Sequence, residues 1–182
     1  ETGMSCTTDV SGSVYLTGLT ISSNTIATVG AHQTAFSGSN DAFLVKFNSN
    51  GVRQWGTYYG GTGNDDGFSC ATDGVGNVYL AGTTGSSNAI ATIGALQTVF
   101  GGGNYDAFLV TFNSSGVRQW GTYYGGTGND RGNSCATDSA GNVYLAGVSQ
   151  SSNAIATLGE HQTVISGSND AFLVKFNSNG VR

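Results

Sequence analysis

The sequence contains no proline and few charged residues. None of its 182 residues is proline, only 9% are Asp, Glu, Lys or Arg, and 30 are glycine. Aromatic residues still make up 10% of the chain, so its short apolar runs bury enough surface to offset the entropy of ordering. The composition therefore argues against disorder, and we interpret the glycines as tight turns between strands.

The chain also lacks a basic stripe and a long apolar run. The chain has six Lys and Arg and eleven Asp and Glu, which gives a net charge of −5. The positive residues are scattered along the sequence. We therefore expect no nucleic-acid partner. No apolar run approaches the roughly 20 residues that a membrane-spanning helix needs, so we expect no membrane insertion. A secretion signal is absent, as it would be from a mature chain.

The sequence repeats itself about every 65 residues. Trp55 recurs as Trp120, and the run VRQWGTYYGGTGND at 52–65 returns unchanged at 117–130. Such a period defines the architecture before any single residue does. It also argues against catalysis, because a repeat offers the same residues several times instead of one unique set. The sequence predicts no catalytic residues, no metal site and no cofactor.

Each repeat predicts four antiparallel strands. In the middle repeat these cover about 68–73, 78–82, 106–113 and 117–124, and they are rich in β-branched and aromatic residues. Strands that are apolar on both faces need cover on both sides, which favours a β-propeller blade packed between neighbours. The first strand is expected innermost and the fourth outermost. A parallel β-helix has shorter coils, and no segment sustains a helical period.

The repeats divide the all-β chain into blade 1 (5–65), blade 2 (66–130) and blade 3 (131–182), after a leader at 1–4 that matches nothing in the repeat. We expect about three four-stranded blades, with the third lacking its outermost strand. The long connection between the second and third strands predicts a short helical turn at 94–98. Ile93 and Phe100 are expected to pack against the blade there.

Three blades do not close a ring, because propellers usually have four to eight. Either the chain is a piece of a longer propeller, or copies assemble head to tail. An open arc would expose two apolar faces larger than the few hundred Å² that monomers tolerate. We therefore expect self-association as a cyclic homodimer of six blades, with a trimer of nine as the alternative.

Several segments together resemble the bacterial seven-bladed β-propeller repeat family, abbreviated SBBP. They are Gly60 and Gly61 with Asn64 and Asp65, the strand GNVYLAG at 76–82, and the strand DAFLV from Asp106. The resemblance covers 5–182. It implies a propeller module of a secreted or surface-exposed bacterial protein, mostly without an assigned activity. The family typically has Phe-Pro in the long connection, where this chain has Ala and Ile.

Recurring acids and cysteines favour structural roles. Asp residues recur before the third strand and after the first, where they are expected to cap turns. The three cysteines occupy equivalent positions and are expected to be free, buried and apolar in character. His32 and His161 alternate with Leu96, which indicates packing. The turn 60–65 resembles the start of a calcium-binding nonapeptide, but its copies are not in tandem, so we interpret it as a link between blades.

The best ligand-binding candidates lie on the predicted fourth strand. Aromatic faces beside a cation suit stacking on sugar rings, and repeated modules add avidity. The alternative is that these rings simply fill the outer space between blades. The candidates are Arg53, Trp55, Tyr58, Tyr59, Arg118, Trp120, Tyr123 and Tyr124.

The sequence as a whole predicts a non-catalytic structural or interaction module of an extracellular or cell-surface bacterial protein, with a glycan or protein surface as its partner. A multivalent, lectin-like propeller is the alternative. The near-identity of the repeats also leaves open a recently duplicated, engineered or symmetrised sequence without a natural activity.

Overall fold

The computed structural model describes residues 1–182 and shows a chain built of β-strands and turns. Eleven strands form three antiparallel sheets of four, four and three strands, each in sequence order. No helix is long and apolar enough to cross a membrane. The predicted all-β, partial β-propeller architecture is confirmed.

The strands are β1 (Thr2–Thr8), β2 (Val14–Thr20), β3 (Asp41–Phe47) and β4 (Arg53–Tyr59); β5 (Asp65–Thr72), β6 (Val78–Thr84), β7 (Asp106–Phe112) and β8 (Arg118–Tyr124); and β9 (Asp130–Thr137), β10 (Val143–Ser149) and β11 (Asp170–Phe176).

The sheets begin earlier than the repeat pattern indicates. The second and third sheets begin at Asp65 and Asp130, one residue before the expected boundaries. Residues of the expected leader at 1–4 take part in β1, where Thr2 pairs with Leu19 and Gly3 with Gly18, ahead of a register shift between Gly3 and Ser5. Backbone pairing needs no particular side chains, so the strand extends beyond the point where the sequence stops matching its repeats.

The first strands of the three sheets lie beside one another, β1 against β5 and β5 against β9. The Thr72 hydroxyl donates a hydrogen bond to the Thr8 carbonyl at 2.7 Å, and the Thr137 hydroxyl donates to the Thr72 carbonyl at 2.7 Å. Small side chains such as Cys70 and Ala71 permit this close approach. The arrangement fits the inner position that was expected for the small-residue strands.

Aromatic side chains fill the space between consecutive blades. The Tyr59 ring lies 5.2 Å from the ring of Phe108 and 6.0 Å from that of Phe112, between centroids. The next interface repeats the geometry, since Tyr124 lies 5.1 Å from Phe172 and 6.0 Å from Phe176. Two apolar clusters, one per interface, form most of the core. The core therefore lies between the sheets and belongs to no single blade.

The long connection contains a turn where a helical turn was expected. Ala95 N donates to the Thr92 carbonyl at 3.1 Å, and Gly94 has a φ of 80°. Thr92 N donates to the Gly121 carbonyl at 2.8 Å, so the loop is tied to the outer edge of β8 and its tip points away. Ile93 is therefore fully exposed and its expected packing is wrong. Phe100 packs edge-on against Tyr123 at 6.2 Å, as expected.

A substitution at Gly82 tests how closely β5 and β6 approach each other. A Cβ there would lie 1.9 Å from the Asp66 carbonyl oxygen and 2.7 Å from the Phe108 ring. We expect Gly82→Ala to lower the free energy of unfolding by about 3 kcal/mol, at the upper end of typical overpacking costs. Urea denaturation followed by fluorescence measures this.

Gly74→Ala is the matched control, because nothing lies within 4 Å of its Cβ position and its φ is not positive. It should leave the unfolding midpoint within experimental error. Equal midpoints for the two variants would contradict the close approach of β5 to β6 at Gly82.

Candidate functional site

The predicted aromatic residues lie on β4 and β8, with successive tyrosines on opposite faces of the blade. Tyr58 packs among Ile26 and Phe43, and its hydroxyl donates to the Ser22 carbonyl at 2.9 Å. Tyr59 faces the next blade, and its hydroxyl donates to the Ile90 carbonyl at 2.6 Å. Both side chains are completely buried. Burial raises the pKa of Tyr59, so its hydroxyl remains a neutral donor.

The copies on β8 make the same contacts. The Tyr123 hydroxyl donates to the Ser86 carbonyl at 2.9 Å, and the Tyr124 hydroxyl donates to the Ile155 carbonyl at 2.6 Å. Neither ring is more than 3% exposed. All four tyrosines therefore present an apolar ring to the core and join the fourth strand to the long connection.

The tryptophans join each blade to the next. Trp55 Nε1 donates to the Ser114 carbonyl at 3.0 Å, and Trp120 Nε1 donates to the Ser178 carbonyl at 2.8 Å. Ser114 and Ser178 lie in the turns after β7 and β11, on the following blade. A Cβ at Gly116 would lie 2.9 Å from the Trp55 ring, so this turn needs glycine both for its positive φ of 80° and for the indole above it.

The arginines bind the backbone of the long connection. Arg53 donates to the Thr25 carbonyl at 2.6 Å, and Arg118 donates to the Ala89 carbonyl at 3.3 Å. Thr25 and Ala89 have positive φ values of 72° and 66°, a region that non-glycine residues rarely adopt. The guanidinium groups thus help to fix the conformation of a strained loop.

The eight candidate residues differ in exposure and in the partners that they contact. The four tyrosines and Trp120 are buried, Trp55 is half-buried against Phe112, and the arginines are tied to carbonyl groups. The buried rings favour the alternative that they fill the space between blades, and ligand binding at these positions, which include the exposed Arg53 and the half-buried Trp55, stays a prediction. Trp55, Trp120, Tyr59 and Tyr124 join one blade to the next, whereas Arg53, Arg118, Tyr58 and Tyr123 tie the fourth strand to the long connection of their own blade.

The acids that follow the first strands cap turns, as expected. Asp73 Oδ1 accepts hydrogen bonds from Val75 N and Asn77 N at 3.1 and 2.8 Å. Asp9 and Asp138 accept equivalent bonds in the other blades. Hydrogen bonds from the Asn142 side chain and backbone lower the pKa of Asp138 to about 2. These carboxylates cap the turns that follow the first strands.

The cysteines are free. Cys70 and Cys135 are buried, as expected, and burial raises their pKa to about 11 and about 12. Cys6 is exposed because no blade of this chain covers β1 on that side. His32 lies against the rings of Tyr59 and Phe112, at 6.0 and 5.8 Å between centroids. This contact fits the packing role that was expected for that position.

Sequence reasoning missed a buried carboxylate pair at each junction between blades. Asp41, at the start of β3, and Asp65, at the start of β5, are both completely buried. Their Oδ1 and Oδ2 atoms lie 2.8 and 2.6 Å from the position of a Cβ on Gly60. Asp106 and Asp130 converge in the same way on Gly125, at 2.6 and 2.8 Å. The recurrence of both acids was visible in the sequence, but their convergence was not.

The two members of each pair have unequal surroundings. Asp65 accepts hydrogen bonds from Gly61 N at 2.8 Å, from the Ser86 hydroxyl at 2.7 Å and from the Thr84 hydroxyl. Asp41 Oδ2 accepts from Gln33 and from Ser37 N at 2.8 and 3.0 Å, whereas Asp41 Oδ1 has no partner. Asp65 therefore has the better-stabilised carboxylate, and Asp41 is the member that holds a proton more readily.

No cation neutralises these pairs, since the one ion pair of the structure joins Lys46 to Asp9. Burial, together with the charge of Asp65, raises the pKa of Asp41 to about 7. Burial, together with the charge of Asp130, raises the pKa of Asp106 to about 7 as well. Each junction thus contains one carboxyl group that changes charge near neutral pH. No three His, Cys, Asp or Glu side chains converge as a metal site would require.

Comparison with known proteins agrees with this architecture. A family model described as a beta-propeller repeat, SBBP, matches residues 54–88 and again 119–153. The family model thus matches the chain twice, in agreement with the resemblance to SBBP repeats. It is also similar to the regulatory protein FlaEY of Caulobacter vibrioides, with 28% identity over 143 residues. The match covers 79% of this chain but only 15% of that relative.

The carboxylate pairs predict a stability that falls as the pH rises. An unfolded aspartate has a pKa of about 3.9, and the folded values are about 7 for Asp41 and Asp106. The folded state thus binds more protons between these values. Their stabilisation is complete below about pH 4 and is lost as the pH rises through about 7. We expect the melting temperature at pH 8 to be several degrees below that at pH 5.

The double variant Asp41→Asn with Asp106→Asn should remove most of this difference, because an amide does not titrate. Asp138→Asn is the control, since a carboxyl group with a pKa of about 2 keeps its charge from pH 5 to pH 8. Asp138→Asn should lower the melting temperature by the same amount at pH 5 and at pH 8. Melting curves of the double variant that keep the full pH dependence would show that other groups cause it.

Proposed function

We propose that this chain is a non-catalytic structural and interaction module, made of β-propeller blades, within a bacterial protein. The proposal depends on one observation, namely that repeated Tyr and Trp side chains contact the neighbouring blade. Tyr59 and Tyr124 fill the interfaces, and Trp55 and Trp120 bond the next blade. A fold alone does not establish a function, but a repeat whose Trp side chains and second Tyr side chain join consecutive blades is suited to act as a scaffold.

A second feature supports the interaction part of the proposal. Val29, Ile93 and Leu158 occupy the same position in the turn of each long connection, and each is almost completely exposed. The turns are held by matching bonds, from Ala31 N to the Thr28 carbonyl and from Ala95 N to the Thr92 carbonyl. One exposed aliphatic tip per blade offers a partner several weak contacts at a regular spacing, which favours binding by avidity.

The comparison supports a module but leaves the role of the whole protein as a proposal. The relative from Caulobacter vibrioides is called a regulatory protein, and this chain spans 15% of its length. We propose that blades of this type serve as an interaction part of such larger proteins. We also propose an extracellular or cell-surface location, on the resemblance to SBBP repeats. Protease treatment of intact cells that carry the tagged protein tests the location, and full protection of the tag would contradict it.

The proposed scaffold role predicts how the tryptophans behave when they are substituted. We expect the chain to give no signal on a glycan array, because the indoles are engaged between blades. Trp120→Ala should instead lower the free energy of unfolding by about 3 kcal/mol, a typical cost of removing a buried Trp. Gln119→Ala is the matched control, since Gln119 is the exposed neighbour on β8. Glycan binding that disappears in Trp55→Ala and Trp120→Ala would favour the lectin-like alternative.

The second prediction concerns the aliphatic tips. The triple variant Val29→Ser, Ile93→Ser, Leu158→Ser should fold normally, because all three side chains are exposed. We expect it to lose most of the envelope proteins that the unchanged chain captures by cross-linking, as measured by quantitative mass spectrometry. Val10→Ser with Val75→Ser is the control, since both residues are 83% exposed in other turns. Equal capture by all three proteins would contradict an interaction through the tips.

A further inference from the structure

A groove lies between the long connections of blades 2 and 3. Its volume is about 430 Å³, which is within the range of pockets that bind small ligands. The long connection of blade 2 forms an apolar wall, the end of β8 and the glycines after it form the floor, and blade 3 contributes the opposite, polar wall. We call this groove and its counterpart between blades 1 and 2 the junction grooves. The lining residues that matter below are Leu96, Val99, Phe100, Gly126, Asn153 and Arg182.

The same arrangement recurs between blades 1 and 2. His32 takes the place of Leu96 and packs against Tyr59 at 6.0 Å between ring centroids. Burial, together with the charge of Arg118, lowers the pKa of His32 to about 4. A neutral imidazole therefore lies near Arg118, which takes the place of Arg182. Because both walls belong to blades 1 and 2, this groove is complete within the chain.

The polar wall of each groove offers hydrogen-bond donors. Asn88 and Asn153 each accept a hydrogen bond through Oδ1 from a backbone N–H of the link between blades, at 3.1 Å in both grooves. Their amide NH₂ groups make no bond within the chain. Arg118 donates through Nη1 to the carbonyls of Ala89 and Ile90, at 3.3 and 3.4 Å, which leaves Nε and Nη2 available to a ligand.

The guanidinium of Arg118 also lacks an acidic partner. The one ion pair of the structure joins Lys46 to Asp9. The buried Asp65 lies beneath the glycines of the floor, but it already accepts hydrogen bonds from Gly61 N, from the Ser86 hydroxyl and from a threonine hydroxyl. The uncompensated charge at the groove is therefore positive. A guanidinium binds a carboxylate through two parallel hydrogen bonds, which are among the strongest in proteins.

We propose that each junction groove binds the carboxyl-terminal residue of a partner protein, and that this residue has an aliphatic side chain. The guanidinium of Arg118 or Arg182 and the asparagine amide beside it bind the carboxylate. The apolar wall, with Leu96 and Val99 in the second groove, packs against the side chain. The inference rests on the proposed function as an interaction module, and it gives that module a second kind of site besides the aliphatic tips.

A chain terminus suits the groove better than an internal acidic residue. In a terminal residue the carboxylate and the aliphatic side chain are attached to the same carbon atom, so one residue reaches both the cation and the apolar wall. In Asp or Glu the side-chain carboxylate has no aliphatic group of its own beyond its short stem. Two grooves in one chain also let a partner with two such termini bind by avidity.

An NMR titration of the isotopically labelled chain with the peptide Gly-Ser-Gly-Ala-Leu tests the proposal. We expect the backbone amide signals of Gly61 and Gly126, on the floors of the two grooves, to shift as the peptide binds. The same peptide with a carboxamide terminus should bind at least about tenfold more weakly, because it lacks the charge that the guanidinium binds. Equal affinity for the two peptides, or no shift with the acid, would overturn the proposal.

Substitution of a single arginine locates the binding. Arg118→Gln should remove the peptide-dependent shift of Gly61 and leave that of Gly126, because only the groove between blades 1 and 2 loses its cation. Arg53→Gln is the matched control. Arg53 makes the corresponding bond to the Thr25 carbonyl, but no blade of this chain lies before it to form a groove. It should keep both shifts, and equal losses in the two variants would contradict binding in the groove.

A second variant tests the apolar wall without touching the core. Leu96 and Val99 are 42% and 71% exposed, so Leu96→Ser with Val99→Ser should fold normally. We expect it to weaken binding at Gly126 about tenfold, as loss of a buried aliphatic contact does, and to leave Gly61 unchanged. Unchanged affinity at Gly126 would contradict the aliphatic part of the proposal. N-acetyl-leucine that binds as tightly as the peptide would overturn a protein terminus as the ligand in favour of a free acid.

These results are separable from the proposed function. The aliphatic tip Ile93 does not line the groove, so the triple tip variant should bind the peptide like the unchanged chain. A chain that captures partners through its tips but does not bind the peptide would overturn the groove proposal alone. A chain that binds the peptide, but captures partners equally well without its tips, would overturn the role of the tips alone.

Discussion

Burial of aromatic side chains between consecutive sheets is the interaction on which the rest of the structure depends. Tyr59 contributes its ring to the space between blades 1 and 2, where Phe108 and Phe112 pack against it. Because each blade is apolar on both faces, most of the core lies between the sheets, and only a small cluster around Tyr58 lies within blade 1. The stability of a blade is therefore a property of its neighbours, as in other repeat proteins in which nearest-neighbour contacts dominate.

Polar groups at the junctions make the same contact specific. Each tryptophan donates its indole N–H to a carbonyl of the following blade, which sets the outer spacing. Each carboxylate pair places two buried acids at the junction, with three donors on Asp65 and an unpartnered oxygen on Asp41. Apolar packing alone would tolerate sliding between sheets. Sliding would break the indole bonds that cross between blades and leave their donors unpaired, which is costly, so these bonds favour one register.

Much of the architecture followed from the repeat. The period, the strand content and the need for cover on both faces predicted stacked four-stranded sheets, and turn-capping acids such as Asp73 were recognisable from their position. The errors concern long-range contacts. Ile93 is apolar and was expected to pack, yet the bond from Thr92 to the Gly121 carbonyl directs the loop tip into solvent. For Trp120 and Tyr124 the sequence left two alternatives, ligand binding and filling of the space between blades, because a sequence does not show which face of an aromatic ring is covered.

The amino-acid sequence by itself determined the repeating unit, its strands and its turns, because hydrophobic alternation and glycine positions act over a few residues. Only the tertiary structure decided which residues meet across blades. Asp41 and Asp65 are 24 positions apart, and their convergence at Gly60 depends on how one sheet is stacked on the next. That stacking also separates Leu109, which is buried, from Leu173, which is exposed although both lie in the same five-residue motif. Burial depends on the presence of a neighbouring blade, and no local pattern encodes it.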